Sequence, residues 1–158
     1  MKTKLFTLLV VLVASMGTVF AWDYERVQIG DLYYNLNEVT LSAEVTSQNS
    51  NYPYWSTTIT TADIPASVVY NSKTYTVISI GNSAFSGCTE LTSVTIGYNI
   101  RNIEGFAFWN SDNISSVVWN AKNCNSRAFG NQVESFTFGE NVEVIPSSLC
   151  KGMTQLTN

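Results

Sequence analysis

The stretch IGNSAFSGCTEL, Ile80 to Leu91, returns as IEGFAFWNSDNI at Ile103 to Ile114 and as IPSSLCKGMTQL at Ile145 to Leu156. A degenerate copy, CNSRAFG, starts at Cys124. The anchor positions Ile80, Ile103, Cys124 and Ile145 lie 23, 21 and 21 residues apart, a period shared by stacked repeat units. A unit this short cannot bury its own apolar face, so each copy must pack on its neighbours.

The apolar positions of the repeat assign themselves. Leu91, Val94 and Ile96 match Ile114, Val117 and Trp119, and then Val133, Phe136 and Phe138. The last two members of each triplet have strand spacing, which predicts one short parallel strand per copy with those two side chains in the core and the residues between them facing outward. The pairs Ala84-Phe85, Ala107-Phe108 and Ala128-Phe129 are expected on the opposite, convex side, with a small residue in a tight bend and a phenylalanine filling the layer between copies. The outward residues Ser93 and Thr95, Ser116 and Val118, and Ser135 and Thr137 form two columns of mostly small hydroxyl side chains. Such columns suit hydrogen bonding to a ligand, and they equally suit a solvated sheet. Tyr98 and Trp109 fall at variable positions between core slots and complete the candidate ligand contacts, because exposed aromatics are favoured at binding hot spots.

Ahead of the repeats, residues 22–77 have a different character. IGDLYYNL, EVTLSAEVT and SVVYNSKTYTVISI are rich in β-branched and aromatic residues and are broken by Asn/Ser/Gly/Pro clusters, as strands and their turns are. SVVY, the turn Asn71-Ser72-Lys73 and TYTVISI predict a β-hairpin leading directly into the first repeat. Gln48 to Ser56 reads as a loop, whose Tyr52, Tyr54 and Trp55 either stack on sugars or fold back onto the segment.

Met1 to Lys4 carries two lysines, Leu5 to Val13 is apolar, and Val19-Phe20-Ala21 ends on a small residue. This predicts a cleaved signal peptide over residues 1–21, hence a secreted or cell-surface location. The apolar run is shorter than the roughly 20 residues of a membrane span, and no cysteine precedes Cys88, which excludes a lipid anchor on a cysteine at the cleavage site. Cleavage removes two of eight basic residues and leaves six against twelve acidic ones, a formal charge of −6. Nucleic acid and anionic membranes, which need clustered Lys/Arg, are poor partners for such a chain.

Three cysteines in an exported chain leave at least one outside any intramolecular disulfide. Cys88 aligns with Ser111 and Met153, Cys124 with the anchor isoleucines, and Cys150 with Phe85 and Phe108, so each reads as a small core hydrophobe. The chain has no histidine, which removes Ser-His-Asp and Cys-His nucleophile systems and His-containing zinc sites. Carboxylates for glycoside hydrolysis are present (Glu104, Asp112, Glu134, Glu140, Glu143), but none has a repeated partner, and no phosphate loop, EF-hand or CxxC pair occurs. The expectation is a non-enzyme without cofactor or metal.

The pattern IGNSAFSGCTELTSVTI, with its Ala-Phe pair, cysteine and leucine recurring at fixed offsets, closely resembles the BspA-like leucine-rich repeat family of bacterial surface and secreted proteins. IGDLYYNL and YNSKTYTVISIG resemble the segment that precedes the first repeat there, so the likeness runs over residues 27–158. It departs at the shortened third copy, at Cys124, and at Leu149-Cys150. The resemblance implies adhesion to host or extracellular-matrix proteins, with no catalytic residues to carry over.

The expected architecture is therefore a β-rich leucine-rich-repeat solenoid, one short parallel strand per coil. A β-rich cap over 22–77 precedes about three and a half copies over 78–158, with no C-terminal cap. The expected function is non-catalytic binding of a host or matrix protein; the alternative is a carbohydrate-binding module or a fragment of a larger glycan-degrading protein. Leu149, Met153 and Leu156 are expected on an unstacked coil, so that the chain either continues past Asn158 or self-associates through its C-terminal edge.

Overall fold

A computed structural model describes residues 21–49, 58–124, 128–129 and 132–157. The signal-peptide reading and the aromatic trio Tyr52, Tyr54 and Trp55 lie outside the described residues, apart from Ala21. Among the described residues the chain forms ten strands and no helix, arranged as two sheets.

The first sheet belongs to the N-terminal segment. β1 (Tyr24–Ile29) and β2 (Leu32–Asn37) form an antiparallel hairpin closed by Gly30-Asp31, with Gly30 in the left-handed region at φ 63°. β3 (Ser42–Thr46) pairs antiparallel with β2. The sequence stretch EVTLSAEVT is thus only half strand. Asn37 Oδ1 accepts hydrogen bonds from the amides of Val39 and Thr40 and from the Thr40 hydroxyl, which holds Glu38 to Leu41 in a turn.

β5 (Ser67–Tyr70) and β6 (Lys73–Ile80) form the expected hairpin. Asn71 and Ser72 both have positive φ, 47° and 61°, the twist that a two-residue antiparallel connection requires. The sheet order is β1-β2-β3-β6-β5, with β3 and β6 parallel. Val77 faces Ala43 but Ser79 faces Glu44, so Ile78 is an extra residue, a β-bulge. The bulge resets the alternation: Tyr75 and Val77 point into the core before it, and Ile80, the first anchor, points into the core after it.

The second sheet is built from the repeats: β7 (Ser93–Ile96), β9 (Ser116–Trp119) and β10 (Ser135–Phe138) are parallel and in register. Val94, Val117 and Phe136 face the core as one column, with Ile96 and Trp119 in the next. A short β8 (Asn102–Ile103) adds to β6 beside the first anchor. β4 (Thr61–Asp63), from the N-terminal segment, pairs parallel with β7 and completes the order β10-β9-β7-β4. Three residues reading TAD give no strand signal in isolation; the backbone of the first repeat supplies the pairing.

One backbone ladder runs through the whole stack. The amides of Thr92, Ser115, Glu134 and Thr157 donate in turn to the carbonyls of Thr60, Thr92, Ser115 and Glu134, at 2.9, 3.0, 2.9 and 2.9 Å. Phe85 and Phe108 are buried and stacked face to face, centroids 5.1 Å apart and planes 4° apart; Phe129 continues the stack 4.8 Å beyond Phe108. The fourth copy differs from expectation in part. Leu149 and Met153 are buried in the common core rather than left open, while Ile145 and Leu156 are exposed; Phe138, expected in the core at the end of the third copy's strand, is exposed as well, because it lies on the outermost strand of the repeat sheet.

Cys88 and Cys124 are buried and Cys150 is half-buried. Burial raises the Cys150 thiol pKa, which suppresses the reactive thiolate. Ser111, buried at the slot that Cys88 fills one copy earlier, accepts from the Cys88 amide at 3.1 Å and donates to the Phe85 carbonyl at 2.5 Å. The Ser111 hydroxyl thereby ties the first two copies together.

Candidate binding surfaces

The outward face of the repeat sheet gathers six of the eight candidate contacts. The register places Thr61, Ser93, Ser116 and Ser135 in one column and Asp63, Thr95, Val118 and Thr137 in the next. Neighbouring strands in such a sheet lie about 4.8 Å apart. All six repeat residues are half-buried or exposed, so their hydroxyls, with the Val118 methyls among them, meet solvent. Thr61 and Asp63 were not legible as members, since β4 is recruited from outside the repeats. Asp63 gives the face its one charged side chain and adds to the upward shift that burial imposes on the Tyr34 phenol.

Tyr98, the seventh candidate, is exposed just past β7. With Asp63, Thr95, Asn120 and Glu140 it lines a depression of about 450 Å³ at the carboxyl ends of the parallel strands. Gly97 belongs to this rim because a Cβ there would run into the carbonyl of Ile64 where the N-terminal segment crosses the strand end. Glu143, largely solvated, pairs with Lys122 at 2.9 Å. The ammonium holds the Glu143 carboxyl below its usual range, and the carboxylate raises Lys122.

Trp109, the eighth candidate, is not on this face. It follows β8 in the second repeat's turn and is 52% exposed. There it meets Phe106, 66% exposed, edge to face with centroids 6.3 Å apart and planes at 82°. Phe106 escaped the sequence reading, although a signal existed: the equivalent positions in the first and fourth copies are Ser83 and Ser148. Glu104, Asp112, Asn110 and Gln132 join the two rings around a depression of about 310 Å³.

Two further carboxylates have a structural part. Glu38 Oε1 accepts from Lys73 Nζ at 2.8 Å and from the Tyr24 hydroxyl at 3.2 Å, and the lysine holds its pKa down. Glu44 is largely enclosed, accepting from Asn35 Nδ2 at 3.1 Å and Ser79 Oγ at 3.2 Å. Burial raises its pKa against those bonds. Among the described residues no three His, Cys, Asp or Glu side chains converge as metal ligands do.

A comparison with curated proteins gives no match. Three solved structures show similarity to the chain. A leucine-rich repeat protein from Bacteroides capillosus aligns over 73% of this chain and 99% of its own at 21% identity and a TM-score of 0.52. A leucine-rich repeat protein from Bacteroides ovatus aligns at 23% identity and a TM-score of 0.48 over 83% of this chain, which spans only 40% of that protein's length. A leucine rich cell surface protein from Faecalibacterium prausnitzii aligns at 16% identity and a TM-score of 0.37, over 73% of this chain and 43% of its own. The family described as "BspA type Leucine rich repeat region (6 copies)" matches residues 72–158, the span that holds every copy of the repeat and the strand leading into it, and the chain belongs to that leucine-rich repeat family.

Proposed function

We propose that the chain is a non-catalytic extracellular binding or adhesion module that engages a host or matrix protein through the outward face of its parallel sheet. In this reading residues 1–21 are a cleaved signal peptide, 22–77 cap a right-handed solenoid and 78–158 form it, and the mature protein is secreted or held at the cell surface. The observation that carries the reading is the pair of in-register columns, Thr61-Ser93-Ser116-Ser135 and Asp63-Thr95-Val118-Thr137. Rigid strands hold these side chains at fixed spacing, so a partner meets preorganised hydrogen-bonding groups and little ordering cost.

The test is an array of matrix proteins and polysaccharides probed with the chain, followed by Thr95→Arg and Ser116→Arg on whichever surface it binds. Retention on a matrix protein, weakened about tenfold or more by either arginine, supports the reading; a central interface substitution commonly costs that much. Retention on polysaccharide alone, or protein binding that ignores both substitutions, overturns it, the former in favour of a carbohydrate-binding module.

A further inference from the structure

We infer, building on the protein-binding reading above, that the second repeat's turn is a receptor for a lysine or arginine side chain presented by the protein partner. The turn departs from its counterparts at two positions. Ser83, Phe106 and Ser148 all take the left-handed conformation, at φ 56°, 60° and 61°, a region that disfavours bulky side chains. Serine meets the backbone requirement in two copies, so the phenylalanine is not there for the bend. Being two-thirds exposed, it is not there for the core either. Trp109 likewise stands where the first copy has the buried Ser86.

Together the rings make two nearly perpendicular walls of the 310 Å³ depression. Among the described residues the charged side chains lining it, Glu104 and Asp112, are both acidic, and neither forms an ion pair. Asn102 Nδ2 donates to Glu104 Oε1 at 2.6 Å and orients that carboxylate. Aromatic faces attract a cation through the ring quadrupole, and carboxylates form their strongest hydrogen bonds with guanidinium or ammonium. One basic side chain satisfies both at once. A neutral sugar would use the aromatic walls and leave both carboxylate charges uncompensated, and an anionic glycan would be repelled.

The test titrates the chain with an arginine-rich peptide, with its citrulline twin of equal shape and no charge, and with a neutral gluco-oligosaccharide, reading tryptophan fluorescence. The arginine peptide should bind, and the twin should bind about tenfold more weakly or worse, the factor that one cation–π contact of roughly 1.4 kcal/mol supplies. Phe106→Ser, which installs the residue of the first and fourth copies, should weaken the arginine peptide about tenfold on the same ground while the melting temperature stays level or rises. The double variant Glu104→Gln with Asp112→Asn should weaken it and flatten its salt dependence. Equal affinity for the citrulline twin, or affinity untouched by Phe106→Ser, overturns the inference, since general attraction to an acidic protein ignores an uncharged substitution. Oligosaccharide binding lost in Phe106→Ser overturns it in favour of a sugar site. If the arginine peptide fails while matrix binding sensitive to Thr95→Arg persists, the turn is excluded and the sheet-face reading stands; the reverse pattern excludes the sheet face and keeps the turn.

Discussion

The first and last copies of the repeat carry a similar apolar pattern; Leu149 and Met153 stay buried like their counterparts Ala84 and Cys88, but the anchor and the closing slot meet opposite fates. The anchor is fully buried at Ile80 and 57% exposed at Ile145. The slot closed by Leu91 is 36% exposed at Leu156, and at the end of the third copy the strand slot closed by Ile96 and Trp119 is already 39% exposed at Phe138. The first copy rests on β6, β3 and β4 of the N-terminal segment on one side and on the second copy on the other. The fourth is covered from one side, by the ladder that ends at Thr157. A slot in a stacked repeat is therefore a request for burial, and the neighbour grants it.

Substituting equivalent aromatic and anchor positions attacks that comparison most directly. Phe85→Ala or Phe108→Ala removes a ring from the central stack and should cost about 3–5 kcal/mol in a denaturant melt. Ile145→Ala, in an anchor slot but largely solvated, should cost less than about 1 kcal/mol. Comparable losses at Phe85 and Ile145 would mean that the last anchor is covered in solution and that the two ends are alike. A loss below about 1 kcal/mol at Phe85 would break the repeat register itself.

The contrast also separates what the sequence reveals from what it conceals. Period and apolar spacing made the parallel strands and the phenylalanine stack legible, because each copy repeats the same local statement. The outward columns followed from strand alternation alone. Recruitment of Thr61–Asp63 into the repeat sheet was illegible, since three residues carry no period and their place depends on the pairing edge of β7. The meeting of Trp109 with Phe106 depends on the path of the second repeat's turn, which apolar spacing does not encode. The departure from serine at Phe106 was in the sequence, but its meaning needed the left-handed backbone at Ser83 and Ser148.

Extension of the stack should sharpen the comparison with a smaller effect. Appending two copies of the Ile80–Ile100 pattern and a polar closing segment supplies the last copy with the neighbour that the inner ones have. Covering Ile145, Leu156 and the β10 edge should add about 1–3 kcal/mol at ordinary apolar transfer values, a rise of roughly 4–10 °C in melting temperature for a domain of this size. The 158-residue chain, by contrast, should show concentration-dependent association in light scattering, because exposed apolar slots beside an unpaired strand edge invite pairing. A monomer at high concentration whose melting temperature the extension leaves unchanged would show that the exposed slots carry no unmet demand.

The smallest expected effect lies at the closed end, where the N-terminal segment meets the first repeat. Glu44 is wedged there between Asn35 and Ser79, and Gly81 makes room for it: a Cβ at 81 would stand 2.8 Å from the Glu44 carboxyl carbon. Burial raises the Glu44 pKa above its usual value of 4.5. A raised folded-state pKa means that the folded chain binds the proton more tightly than the unfolded one. The group's contribution is then fully present below about pH 4.5 and is lost as pH rises through the folded value. Glu38 and Glu143 are shifted downward, so their contributions fade as pH falls, but they do so equally in wild type and in a Glu44 variant. Glu44→Gln keeps the shape and an acceptor for Asn35 while removing the titration, so its stability relative to wild type should grow steadily from pH 4 to pH 7. Gly81→Ala should flatten the same pH dependence by pushing the carboxylate toward solvent, at some cost in stability at every pH. A variant-minus-wild-type difference that is level from pH 4 to pH 7 would show that Glu44 is solvated, and that the seam closing the first repeat is looser than the last repeat's contrast with it implies.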